Sequence, residues 1–147
     1  MKLNSAGINL MHEFEGCELD AYLCPANIPT IGYGNTYYED GRPVRMGDKI
    51  TQDRADQLFN MIAEDFAKRV RTLLKTVLNE NQFSALVSFA YNCGIANLNK
   101  STLLKKVNIN PADPTIYSEF LKWDKANGKP LAGLTRRREQ EAKLYFT

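Results

Sequence analysis

The sequence predicts an α+β fold: a short N-terminal helix, a small irregular antiparallel sheet, one long helix and then a helical cluster. Three observations carry that prediction. Leu58, Phe59, Ile62, Phe66, Val70, Leu73, Leu74 and Val77 recur at three- and four-residue steps, the mark of an amphipathic helix. Residues 18–50 change character, with Tyr22, Ile28, Ile31, Tyr33, Tyr37, Tyr38 and Val44 separated by Pro, Gly and Asp-Gly breaks. From Asn79 onward, helix start and stop signals follow one another to the C-terminus.

Each element has a local cause. Leu3, Ile8, Leu10, Met11 and Phe14 form an approximate helical stripe over residues 3–15, and Gly16 offers a stop just past it. Within 18–50, Asp40-Gly41 signals a hairpin turn, and the resulting sheet is too small to fold alone. Thr51 is placed to cap the long helix, with Asp53 in its first turn, and the stripe predicts about 25 residues, roughly 37 Å. Asn79 with Gln82 three residues on forms a capping box ahead of Phe83, Leu86, Val87 and Ala90, ending near Gly94. Ser101 caps a short helix through Leu103, Leu104 and Val107. Asp113-Pro114 reads as a cap followed by Pro at the first helical position, ahead of Ile116, Tyr117, Phe120 and Leu121. Asn127-Gly128 and Lys129-Pro130 read as a loop, and a last helix runs from about Leu134 to Tyr145. A single domain over 1–147 is expected, with a β lobe over about 16–50, a connecting helix over about 51–78 and a helical lobe over about 79–147 packed with helix 3–15. A cleft between lobes is the default place for a ligand.

Composition narrows the class. Apolar residues make up 44% and charged residues 24%, ordinary for a soluble globular protein. The net charge of +2 is uneven: residues 1–100 carry 10 Lys/Arg against 12 Asp/Glu, and residues 101–147 carry 9 against 5. A basic C-terminal third suits an anionic polymer, although a solvated face is the simpler reading. No apolar run is long enough to span a membrane. The N-terminal residues 1–10 hold a Lys but no sustained apolar core, so they read as neither signal peptide nor anchor, and the expectation is accumulation in the cytoplasm. Cys17, Cys24 and Cys93 are odd in number and lack metal-type spacing, which argues against a disulfide framework or zinc site. Cys93, after an apolar run, reads as a small buried side chain. Nothing points to a metal or organic cofactor.

The chemistry concentrates near the N-terminus. Glu15-Gly16 is followed by Cys24, with eight residues between Glu15 and Cys24, and five more lead to Thr30-Ile31-Gly32-Tyr33-Gly34. A carboxyl at a helix end ahead of a Gly-rich β stretch places an acid beside a shaped cleft. This Glu-x8-Cys-x5-Thr order, running into Thr-Ile-Gly-Tyr-Gly, resembles the active-site segment of the phage-type lysozymes, the endolysin or T4-lysozyme-like glycoside hydrolase family. The resemblance extends from about residue 7 to 145. It includes Gln82-Phe83-Ser84-Ala85-Leu86-Val87-Ser88-Phe89-Ala90-Tyr91-Asn92-Cys93-Gly94, then Ser101-Thr102-Leu103-Leu104, and finally Gly133-Leu134-Thr135-Arg136-Arg137-Arg138-Glu139. It implies a lysozyme-like fold, a monomer, peptidoglycan glycan strands as substrate and release through a holin pore before action on the wall.

The resemblance also assigns roles. Glycoside hydrolysis needs an acid for the departing oxygen and a second group across the sugar ring. Glu15 is the acid, chosen over Glu13, Glu18 and Asp20 because Glu15-Gly16 matches the family's catalytic Glu-Gly. Such an acid must be protonated when it acts, so a partly apolar or carboxylate-lined pocket is expected. Cys24 stands where many members carry Asp and others Cys; a thiolate can serve as base or nucleophile where a neutral thiol serves poorly. Thr30 matches the hydroxyl that orients the attacking water. Gly32, Tyr33 and Gly34 are substrate-contact candidates, the glycines allowing close backbone approach. Phe89 and Asn92 are also candidates, with core or cap roles as the competing reading. Asn35 replaces a His common in relatives, which removes a structural ion pair. His12, the only histidine, is expected to be non-catalytic. Arg136, Arg137 and Arg138 suit carboxylates of the substrate or, more simply, pairing with Glu139 or Glu141.

Three function classes emerge. The first is a muramidase that cleaves the β-1,4 bond between N-acetylmuramic acid and N-acetylglucosamine. A lytic transglycosylase needs only a lone acid/base Glu, but the Thr30 water site argues against it. A non-catalytic wall-binding or nucleic-acid-binding module would rest on the basic end alone, and no nucleic-acid motif supports it.

Overall fold

The computed structural model describes residues 1–147, which form two compact units: His12–Asp65, and Met1–Met11 together with Phe66–Thr147. Helix α1 (Ser5–Phe14) and helix α2 (Gln52–Leu73) each contribute to both units. No helix is long and apolar enough to cross a membrane.

In the first unit, β1 (Glu18–Leu23) and β2 (Pro29–Gly32) pair antiparallel, with Tyr22 opposite Thr30 and Leu23 opposite Pro29. The register shifts between Glu18 and Tyr22, an irregularity that twists a two-stranded ribbon. Residues Cys24–Ile28 close the hairpin: the Cys24 N–H donates to Ile28 O and the Asn27 N–H to Cys24 O, with Asn27 at φ 63°. Beyond β2 the sheet dissolves into single bridges, Ile31 with Asn35 and Tyr37 with Pro43. The Asp40-Gly41 turn forms as expected, Gly41 N–H donating to Tyr38 O. The other side of β1 is tied down by Ala21 N–H to Asp48 O and Ile50 N–H to Leu19 O. Ile31, Val44, Ala55, Leu58, Phe59 and Ala63 are buried and form the core, each of the larger ones contributing about 1.5–3 kcal/mol. Thr51 caps α2 through Arg54 N–H.

In the second unit, α7 (Ala132–Tyr145) packs on α3 (Glu80–Cys93) and α6 (Ile116–Leu121). The Asn79/Gln82 capping box is present in both directions, and Gly94 at φ 97° ends α3. Ser101 caps α5 (Thr102–Ile109) through Leu104 N–H. Phe89 makes edge contacts with Phe120 at 6.0 Å and Trp123 at 5.4 Å between centroids, at the middle of a core that also holds Phe83, Leu86, Leu103 and Tyr145.

Several boundaries differ from the sequence reading for identifiable reasons. Helix α1 begins at Ser5 because the Asn4 side chain accepts from Gly7 N–H and caps it. Helix α2 spans 22 residues and stops at Leu73, where Asn108 Nδ2 donates to Leu73 O and Asn108 Oδ1 accepts from Lys75 N–H. Val77, expected on the apolar stripe, is therefore 84% exposed. An additional helix, α4 (Ile95–Lys100), follows α3 directly. The 127–130 loop is a miniature hairpin: β3 (Lys125–Ala126) pairs with β4 (Lys129–Pro130) around Asn127 and Gly128, both at positive φ. Around α6, the Asp113 carboxylate accepts from Thr115 N–H, but the regular helix starts at Ile116.

Candidate active site

Glu15 follows directly on the last residue of α1, in a bend that Gly16 completes with open space where a side chain would be. Glu15, Gly16, Glu18, Tyr22, Tyr33 and Gly34 line a pocket of about 500 Å³. The structure therefore joins three of the sequence candidates, Glu15, Tyr33 and Gly34, and adds Glu18 and Tyr22. The lining thus sets two aromatic rings and a second carboxylate around Glu15. Another pocket of about 460 Å³ is lined by Tyr38, Arg42, Asp48, Lys49, Ile50, Thr51 and Arg54. Its cations are already matched by Asp40, Asp20 and Glu39, and its one acid, Asp48, already accepts from the Tyr38 hydroxyl and the Arg45 N–H.

Tyr33 is fixed on three sides. Its hydroxyl donates to Asp56 Oδ1 at 3.2 Å and accepts from Gln52 Nε2 at 3.1 Å, while Gln52 Nε2 also reaches Asp56 Oδ1 at 2.9 Å. Burial and the Asp56 carboxylate push the phenol up to about 12. The ring stacks on His12 at 4.4 Å and 8° and meets the Phe59 edge at 5.2 Å. Gly32 at φ 66° and Gly34 at φ 95° let the chain reverse between Ile31 and Asn35, which exchange both backbone hydrogen bonds. Gly34 is exposed, whereas Gly32 is buried and serves the turn. Asn35 is fully buried and donates to Leu58 O at 3.3 Å.

Cys24 and Thr30 meet at the mouth of the β1–β2 hairpin. The Ile28 N–H directed at Cys24 Sγ is the main influence lowering this thiol below its usual range; the Ala26 N–H and the Thr30 hydroxyl add to it, and partial burial opposes it. Thr30 is 4% exposed, and its hydroxyl also reaches Ile28 O at 2.8 Å. Its single proton can serve either the carbonyl or the sulfur, and its lone pairs remain as acceptors. Thr30 pairs across the ribbon with Tyr22, which lines the Glu15 pocket.

The remaining candidates lie in the other unit. Phe89 is fully buried against Phe120 and Trp123, with the Arg138 guanidinium 5.1 Å from its ring centre, so its place is the core and not a substrate-facing wall. Asn92 is exposed, accepts from Arg138 Nη2 at 2.9 Å and lines a pocket with Cys93, Asn97, Lys122, Trp123, Lys125 and Leu134. Cys93 is half-buried, not fully buried as the sequence suggested; it accepts from Arg138, and burial pushes its thiol up. Arg137 and Arg138 are buried and pair with Glu141 at 3.3 and 2.8 Å, as the simpler sequence reading held. No group of three or more His, Cys, Asp or Glu side chains is arranged to hold a metal ion.

Sequence reasoning did not identify His12, Gln52 and Asp56 as the supports of Tyr33. They are 19 to 23 residues from it, and only the fold brings them to one ring.

A helix-end acid, a hairpin carrying the Cys-Thr pair and a helical second unit define a lysozyme-type protein. A mutant of P22 lysozyme superimposes with a TM-score of 0.90 at 32% identity, covering 100% of this chain and 99% of its own. The phage lysozyme family model matches residues 12–141, and the chain belongs to that family. The endolysin of Bacillus phage B103 is 41% identical over 100% of this chain, which spans 55% of that longer protein. The endolysin of Acyrthosiphon pisum secondary endosymbiont phage 1 is 36% identical, with 99% of this chain and 98% of the relative aligned.

Proposed function

We propose that this chain is an endolysin with muramidase activity, hydrolysing the β-1,4 bond between N-acetylmuramic acid and N-acetylglucosamine in peptidoglycan. The observation that carries the reading is the meeting of Glu15 with Tyr33 and Gly34 in one pocket, beside a hairpin whose mouth pairs Cys24 with Thr30. Membership of the phage lysozyme family and endolysin relatives aligned over nearly their whole length support it.

In this mechanism the Glu15 carboxyl gives its proton to the glycosidic oxygen as the C1–O bond breaks. Thr30 orients a water on the opposite face of the sugar. Cys24, as thiolate, takes a proton from that water while its oxygen bonds C1, and the configuration inverts. Direct attack by the Cys24 sulfur on C1, followed by hydrolysis of the thioglycoside, gives retention instead. The Ile28 and Ala26 N–H groups favour the thiolate that both routes require. Gly34 and Tyr33 supply the wall against which the sugar lies. The protein acts as a monomer, is held in the host cytoplasm and reaches the wall through a holin pore.

Digestion of purified peptidoglycan with mass spectrometry of the fragments tests the reading. Fragments ending in reducing muramic acid are expected. Anhydro-muramic ends, or intact glycan strands, would contradict it.

A further inference from the structure

His12 is the one side chain that touches the wall of the Glu15 pocket from behind and can change charge near neutral pH. Its ring lies flat on Tyr33, 4.4 Å between centroids and 8° between planes, and meets the Phe59 ring edge-on at 4.4 Å. His12 Nε2 is buried with no hydrogen-bond partner in the protein. A neutral imidazole tolerates that position as an unprotonated ring nitrogen. A protonated one cannot, because a charged N–H would be left in an aromatic cluster without an acceptor.

We propose that His12 is a positioning residue for the Glu15 pocket, holding Tyr33 in place as its wall only while the imidazole is neutral, so that mild acid releases that wall. The groups facing His12 are few. From α2 they are Phe59 and the Asp56 carboxylate, which favours the charged ring; from the turn after β2 there is the Tyr33 phenol, itself bonded to Asp56 and Gln52; on α1, Glu13 is the next residue, and Glu15 follows just past the helix end. Desolvation outweighs Asp56, and the ring resists protonation more than a free histidine does. The sign follows. The unfolded chain takes up the proton first, near pH 6.5, so the stability that the neutral stack contributes is complete above that value and declines as pH falls below it toward the folded-state midpoint. Once charged, the ring leaves the stack for water or Asp56, and Tyr33 loses the face that His12 covers while its hydroxyl bonds and the Phe59 edge contact stay.

The inference rests on the muramidase reading for its kinetic consequence but not for its structural one, and the test separates them. His12 is the only histidine, so its Cε1–H signal is unique in a proton NMR titration of the full chain. The expected result is a midpoint below that of a free histidine, with the Tyr33 ring signals moving on the same curve. In parallel, KM and kcat on peptidoglycan are followed from pH 7.5 to about 5, on either side of the free imidazole midpoint, for the wild type and His12→Phe, which keeps an aromatic stack without a titratable group. A KM increase of about threefold to tenfold toward acid, the scale of one aromatic contact, is expected in the wild type and absent in His12→Phe. The kcat limb belonging to the catalytic groups persists in both. Tyr33 signals that stay fixed while His12 titrates would overturn the proposal. So would an ordinary or elevated His12 midpoint, or the same acid rise of KM in both proteins. A protein that cleaves no glycan leaves the NMR arm to decide on its own.

Discussion

Replacing Glu141 by Gln removes one charge from the middle of α7 while keeping the side chain's shape. In the native protein its carboxylate is fully buried: Oε2 accepts from Ser88 Oγ at 2.6 Å and Arg137 Nε at 3.3 Å, and Oε1 lies 2.8 Å from Arg138 Nε. Both guanidiniums are buried too, at 3% and 0% exposure. The amide can still accept from Ser88, but it removes the carboxylate charge that both buried guanidiniums share. Breaking a buried pair in this way costs about 3–5 kcal/mol, against a total stability of roughly 5–15 kcal/mol for a domain. For 147 residues the unfolding entropy is about 0.3 kcal/mol/K, so Tm should fall by about 10–16 °C. Circular dichroism melting of the two proteins measures this directly, with urea midpoints as a check. Adding Arg138→Met to Glu141→Gln should recover part of the loss, since one uncompensated cation goes with it. A Tm change of only a degree or two, corresponding to under about 1 kcal/mol, would refute the argument and mean that the guanidiniums reach water.

Other consequences are as concrete. Peptide-resolved alkylation with iodoacetamide across pH should modify Cys24 at lower pH than Cys93, because backbone N–H groups favour one thiolate and burial disfavours the other; coincident curves would remove the basis for a reactive Cys24. Gly7→Ala should cost about 1–3 kcal/mol, as its Cβ would stand 2.5 Å from Ser84 Cβ on α3, and an unchanged melting curve would contradict the packing described there. Asn79→Ala, which removes the side-chain acceptor for Gln82 N–H while leaving the residue-79 N–H free to donate to Gln82 Oε1, should cost about 1 kcal/mol, read from the urea midpoint.

The features legible in the sequence were those decided locally or by resemblance. The Asn79/Gln82 box, the Ser101 cap and the stop at Gly94 depend on residues three or four positions apart, and each formed as expected. Helix α4 was not legible: its N-cap is Gly94, which offers no side-chain cap, and it is only six residues long. The Asn127-Gly128 signal was seen, but strands of two residues carry too little alternation to be read as a hairpin. The α2 stripe overran to Val77 because the helix is ended from outside, by Asn108, and a hydrophobic pattern contains no trace of that. At the site, the family pattern singled out Glu15, Tyr33 and Gly34, and the fold brings all three to one pocket. The supports of Tyr33 were not, since a stack between residues 12 and 33 is a property of the folded chain. Phe89, a substrate-contact candidate with a core role as the competing reading, is fully buried and belongs to the core.

The central claim is that Glu15 supplies the proton for glycan cleavage, and Glu15→Gln tests it most directly. The amide keeps the size of the side chain in the pocket with Tyr33 and Gly34 but cannot give up a proton to the departing oxygen. Wild-type and Glu15→Gln proteins, matched for concentration and for folded content by circular dichroism, are incubated with purified peptidoglycan and the released reducing ends are counted. The account predicts a folded variant whose rate falls by about a hundredfold or more, the scale of a lost general acid. A folded variant that releases reducing ends at the wild-type rate would contradict it.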